Sequence, residues 1–134
     1  MGAAMKYWLT LAAALLLATQ AQAQTAMPRV ATYFPSCLAA ADIAQGKRPA
    51  ADSEEASRQL RTAAICFGAV TAIMNLEPYF KPEFAICPPT NTQISQAQIV
   101  LTIVNHFKAH PEKLQDNFFQ AAVAALAAAW PCPK

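Results

Sequence analysis

Four cysteines, two histidines and the aromatic pair Tyr79-Phe80, set in a segment too proline-rich to belong to a helix, are the side chains in this 134-residue sequence whose types and spacing could do chemistry or recognition. His106 and His110 stand four apart in HFKAH, a spacing that turns both rings to one helix face, as in the H-E-x-x-H arrangement that holds zinc. The general-base Glu of that arrangement is missing, no third ligand is evident, and Pro111 interrupts the helix just after the second His. No metal site is expected, and the two rings read as surface or helix-end histidines. Cys37, Cys66, Cys87 and Cys132 are separated by 29, 21 and 45 positions and form no C-x-x-C pair. That spacing argues against zinc-finger and redox chemistry and for two disulfides, with three connectivities open. No G-x-S-x-G occurs, and three glycines in the whole chain are too few for a nucleophile elbow or a phosphate-cradling loop. The acidic residues fall mostly at helix ends and in loops, where capping and solvation account for them. Neither an enzyme nor a cofactor site is expected.

The aromatic pair is the one candidate recognition feature. Tyr79 and Phe80 lie in EPYFKPEFAICPPT, residues 77–90, where four prolines in fourteen residues forbid a regular helix or a central strand and predict a long, extended linker. Rigid aromatic anchors are what protein interfaces favour. The competing reading folds both rings back over the central helix, as a loop beside a disulfide usually covers core.

The elements that must position these residues are helical. The central beam is residues 52–76, opened by Asp52 three residues before Glu55 in capping-box spacing and stopped by Glu77-Pro78. Its second half, Ile65 to Leu76, is apolar nearly all round, which predicts burial on every side. A first helix is expected from Val30 or Pro35 to Ala44, ended by Gly46, with Cys37, Leu38 and Ala41 on one stripe. A third, capped by Thr92, should run from Gln93 to Ala109 with Ile94, Ala97, Val100, Leu101, Val104 and Phe107 recurring at three and four. After Pro111 a fourth should run from Asp116 to Trp130, where the alanines predict close helix packing. No stretch alternates at period two. The fold class expected is all-α, a small disulfide-stapled bundle of about four helices.

Lys6 followed by the apolar run Tyr7 to Ala18, then Ala21 and Ala23, reads as a secretory signal peptide cleaved after Ala23. The run is too short to span a bilayer, so no membrane span is expected after cleavage. Residues 24–134 then form a single domain in an oxidising compartment, which suits disulfides. They carry nine Lys and Arg against eight Asp and Glu, dispersed along the chain. A nucleic-acid or anionic-lipid partner would need a basic stripe, so neither is expected.

Taken together, CFGAVTAIMNL on the central helix, the FAICPP segment, the helix running into HPE and the closing WPC resemble the Rap/Tai family of periplasmic immunity proteins of type VI secretion. The resemblance spans Cys37 to Cys132. Cys66, Gly68, Cys87, Pro88, Gln96 or Gln98, His110, Pro111, Glu112, Pro131 and Cys132 match the family pattern, whereas Ala69, Ala72, Asn75 and Trp130 stand where the family tends to have Tyr, Gly, Asp and Phe. The resemblance implies an all-helical, disulfide-bonded, often homodimeric protein without catalysis. It would bind a peptidoglycan amidase effector and occlude its active site, in the periplasm. The alternative is a non-catalytic housekeeping protein of the periplasm, structural or chaperone-like. On this helix order the expected pairings are Cys37–Cys66, joining consecutive antiparallel helices, and Cys87–Cys132, clipping the linker to the chain end around a helical hairpin. The residues expected to meet a partner are Tyr79 and Phe80.

Overall fold

The computed structural model describes residues 27–47, 53–89 and 94–133. The expected signal segment and the expected caps Asp52 and Thr92 lie outside the described residues. Four α-helices follow in order: α1 (Val30–Ala44), α2 (Ser53–Leu76), α3 (Gln96–Ala109) and α4 (Phe118–Ala129). Three short 3-10 turns join them at Glu77–Tyr79, Pro82–Phe84 and Pro111–Gln115. Among the described residues there is no strand, only an isolated bridge between Arg29 and Asn117.

Local chemistry sets most of the boundaries. α1 begins at Val30, the earlier of the two expected starts, and keeps Pro35 inside. The N–H that Pro35 lacks would have bonded the carbonyl of Ala31, and both residues are exposed, so water can take its place. α1 ends in a Schellman motif: Gly46 adopts φ +76°, its N–H donates to Ile43 O at 2.9 Å, and Lys47 N–H donates to Asp42 O at 3.0 Å. α2 places Glu54 and Glu55 in its first turn, where carboxylates meet the positive end of the helix.

α3 starts at Gln96, three residues later than expected, because Ser95 supplies the cap. Its side chain accepts from Gln98 N while Gln98 reaches back to the Ser95 N–H at 2.8 Å. Ile94 therefore precedes the helix; with Ile99 it holds the two positions of a hydrophobic staple, Ile99 buried in the core and Ile94 packed against it. α4 starts at Phe118, two residues later than expected, since the Asn117 side chain accepts from Gln120 N at 3.1 Å.

α1 packs chiefly on α2 and next on α3. Val30, Cys37 and Ala40 meet Ala63, Cys66, Val70 and Ile73, with Val100, Ile103, Val104 and Phe107 of α3 and Phe118, Ala122 and Leu126 of α4 completing a single core. Alanines at the contacts let the helix backbones approach closely. The disulfide Cys37–Cys66 joins α1 to α2 inside this core, with both residues fully buried. Cys87–Cys132 joins the linker to the end of the chain.

The expectation that the second half of α2 is buried on every side is corrected. Only Cys66, Ala69, Val70 and Ile73 are buried there, while Ile65 and Leu76 stay about half exposed at 55% and 54%. The other helices pack on the face of α2 that carries Ala63, Cys66, Val70 and Ile73, so apolar residues on its far side stay partly exposed. By length and composition Ser53–Tyr79 is apolar enough to cross a membrane, yet it is tied into the bundle by a disulfide and carries Glu54, Glu55, Arg58 and Arg61 in its first half.

Candidate functional site

The end of α2, the linker and the opening of α4 enclose a groove of about 890 Å³. It arises from how prolines shape residues 77–90. Pro78 and Pro82 each sit in the first turn of a 3-10 segment, where a missing N–H is tolerated, so the linker is two single turns rather than the uniformly extended stretch expected. The first turn closes with Phe80 N–H on Glu77 O at 2.9 Å, the second with Phe84 N–H on Lys81 O at 2.8 Å.

A tight turn cannot aim neighbouring side chains the same way, and the structure separates the two aromatics treated as a pair. Phe80 turns inward and packs against the core, whereas Tyr79 is 83% exposed. Beyond the second turn, Ile86 is buried and Cys87 is fastened to the chain end, so the linker is bowed between two fixed points.

The facing wall is α4. Phe118 enters the core and stacks on Tyr33 with centroids 4.5 Å apart. Phe119, one residue on, turns to the groove while keeping an edge contact with Tyr33 at 6.1 Å. Ile73 and Val123 complete the apolar floor, and the exposed Leu76, Tyr79 and Phe84 form the lip. The chain entering α1 borders the same end, since Phe118 N–H donates to Pro28 O and Val30 N–H to Asp116 O, each at 2.9 Å.

The polar lining is mostly engaged. Lys113 Nζ lies 3.4 Å from Asp116 Oδ2, and Asn117 caps α4. Lys81 has no ion-pair partner among the described residues. His106 lines the groove from α3, with its ring 4.6 Å from that of His110. Burial holds its pKa below the ordinary imidazole value, helped by the electrostatics of the neighbouring His110 and Lys113 and opposed by Glu112. His110 Nδ1 in turn meets Glu112 Oε1 at 3.1 Å. Among the described residues no group of three or more His, Cys, Asp or Glu converges as a metal site. The groove thus offers an apolar floor, an amphipathic aromatic lip and scattered cations, the composition of a protein-recognition surface.

The site residues singled out from sequence fall in four places. Tyr79 is at the lip, Phe80 lies behind it, and Cys87 and Cys132 fasten the wall, while Cys37 and Cys66 are remote in the core. Leu76, Phe84 and Phe119 were not singled out as site residues. The signal for Phe119 was its neighbour, because two consecutive phenylalanines on a helix cannot both face one core. Gln96 and Gln98 have structural duties: Gln98 closes the α3 capping box, and Gln96 Nε2 donates to Thr71 Oγ1 at 2.6 Å and to Phe67 O at 3.1 Å, tying α3 to α2.

A family model described as Rap1a immunity proteins matches residues 30–132, which takes in all four helices, both disulfides and the groove. No curated protein and no solved structure matches the chain.

Proposed function

The chain belongs to the Rap1a immunity protein family, and from that membership we propose that it is an exported, non-catalytic inhibitor that binds a peptidoglycan amidase effector of type VI secretion in the periplasm. On this reading the segment up to Ala23 is removed on export and the disulfides form there. The observation that carries the reading to particular residues is the groove with its projecting Tyr79. Tyr79, flanked by Leu76 and Phe84, enters the effector's cleft as an amphipathic anchor, and Phe80 holds the turn that presents it. Inhibition is occlusion: no bond in the substrate is made or broken by this chain.

The test is protection in the cell. Periplasmic production of a peptidoglycan amidase encoded beside this gene should lyse the host, and co-production of this chain should prevent lysis. Tyr79→Ala should accumulate to the same level yet protect poorly. No protection against any adjacent cell-wall hydrolase would overturn the reading and favour the housekeeping alternative.

A further inference from the structure

The exposed Tyr79 accounts for the lip of the groove and not for its interior. At about 890 Å³ that interior has the size of a cleft, roughly 300–1,000 Å³, that takes a compact ligand rather than a flat surface. Its floor is apolar, with Ile73 and Val123 below and Phe80 and Phe119 on the two walls. On the α4 wall Ala124 is exposed and carries a single methyl group, which keeps that wall low.

Two polar side chains of the lining are not engaged within the chain. On the linker wall Lys81 has no ion-pair partner among the described residues. On the α4 wall the Gln120 side-chain amide makes no hydrogen bond among the described residues, where only the backbone N–H of Gln120 is taken, by Asn117. The charge of the lining is one-sided: Lys81 and Lys113 stand against Asp116, two cations to one anion, before His106 takes up a proton. Asp116 already has Lys113 at 3.4 Å. Glu77 and Glu83 flank Lys81 in sequence but do not line the groove. Lys81 is therefore the lining's unmatched charge.

We propose that the groove receives a short polypeptide segment of the partner, apolar along the floor and bearing one carboxylate that pairs with Lys81. The inference rests on the effector reading for the partner's identity and adds what that partner must present. Insertion is then reciprocal: Tyr79 enters the partner's cleft, and a segment of the partner enters the groove. The apolar floor supplies affinity by removing side chains from water. Lys81 supplies selection, because a cation there opposes a basic segment and favours an acidic one. The Gln120 amide, donor on one side and acceptor on the other, matches a backbone peptide group. A fatty acid would offer the carboxylate and the apolar tail but no N–H for the Gln120 carbonyl oxygen.

The test is the inhibition constant of the oxidised chain against a peptidoglycan amidase, taken from beside this gene if one is encoded there, at about 50 mM and about 500 mM salt. Lys81→Glu should weaken inhibition about tenfold at the lower salt and less at the higher, as an exposed charge pair is screened. Lys81→Met, which keeps the apolar stem, should weaken it about two- to fivefold. Ala124→Trp fills the groove from an exposed position, so it should melt within about 4 °C of wild type yet weaken inhibition at least about tenfold at both salts. Among single changes of the amidase's surface Asp and Glu to Lys, one should restore inhibition by Lys81→Glu. Wild-type inhibition that Lys81→Glu and Ala124→Trp leave unchanged, or no reversal that restores it, would overturn this inference while the effector reading stands. Unchanged inhibition together with calorimetric binding of dodecanoate that Lys81→Glu abolishes would assign the groove to a free amphiphile instead. Absence of inhibition by the wild type would remove the effector reading and this inference with it.

Discussion

The backbone N–H of Cys87 donates to the carbonyl of Trp130 at 2.9 Å, and the neighbouring Cys87–Cys132 disulfide brings their Cα atoms to 4.8 Å. The far end of the groove's linker wall is therefore fastened twice, while its near end continues directly from α2. Replacing Cys87 and Cys132 by Ala should cost roughly 3–4 kcal/mol through loop entropy. Removing Cys37 and Cys66 should cost more, because both are fully buried and their loss also opens a cavity between α1 and α2. Urea unfolding of the two double variants checks the order.

Tyr79 and Phe80 are neighbours in sequence with opposite environments, so their truncations should separate stability from recognition. Phe80→Ala removes a ring packed on the core and should cost about 1–3 kcal/mol, less than a fully buried Phe. Tyr79→Ala should stay within about 0.5 kcal/mol of wild type, as exposed substitutions do. Thermal melts of the two single variants distinguish this from a structure in which both rings cover core.

Gln96 joins α3 to α2 through Thr71 Oγ1 and Phe67 O, at positions exposed to solvent. Water can replace both partners, so Gln96→Ala should cost only about 0.5–1.5 kcal/mol. Denaturant midpoints measure it.

The groove-lining His106 gives a pH dependence of definite sign. Burial, then His110 and Lys113, hold its pKa below the ordinary value of 6.5, with Glu112 opposing. The unfolded chain thus takes up a proton that the folded chain resists. Its contribution to stability is fully present above pH 6.5 and is lost as pH falls through the lower folded value. Glu112, held below 4.5 first by its own backbone N–H, acts in the same direction at lower pH. Melting temperature should drop as pH is lowered from about 7.5 to about 5.5, and His106→Asn should flatten that drop. Calorimetry across the range is the check.

How far the residues alone reached depended on the kind of signal. α1 and the core stripe of α3 follow from spacing at three and four, and Gly46 marks the C-terminal cap of α1 because a left-handed turn favours glycine. The starts of α3 and α4 moved because Ser95 and Asn117 caught free backbone N–H groups nearer the helix than the residues chosen from sequence. Ile65 to Leu76 misled for a different reason: apolar composition fixes which residues avoid water, but not which of two sides the other helices take. The groove was legible only as an aromatic, proline-rich stretch. Its second wall comes from Phe119, some forty positions away, which only the packing of α4 brings opposite Phe80.

On the function proposed above, this chain inhibits a peptidoglycan amidase by binding through the Tyr79 lip. The most direct measurement is the rate of peptidoglycan amide cleavage by a peptidoglycan amidase, taken from beside this gene if one is encoded there, titrated with the oxidised chain. The account predicts loss of activity that saturates at a fixed molar ratio. It also predicts that Tyr79→Ala weakens inhibition by about 2 kcal/mol or more, close to thirtyfold, without lowering the melting temperature. Undiminished cleavage at molar excess, or inhibition indifferent to Tyr79→Ala, would contradict it.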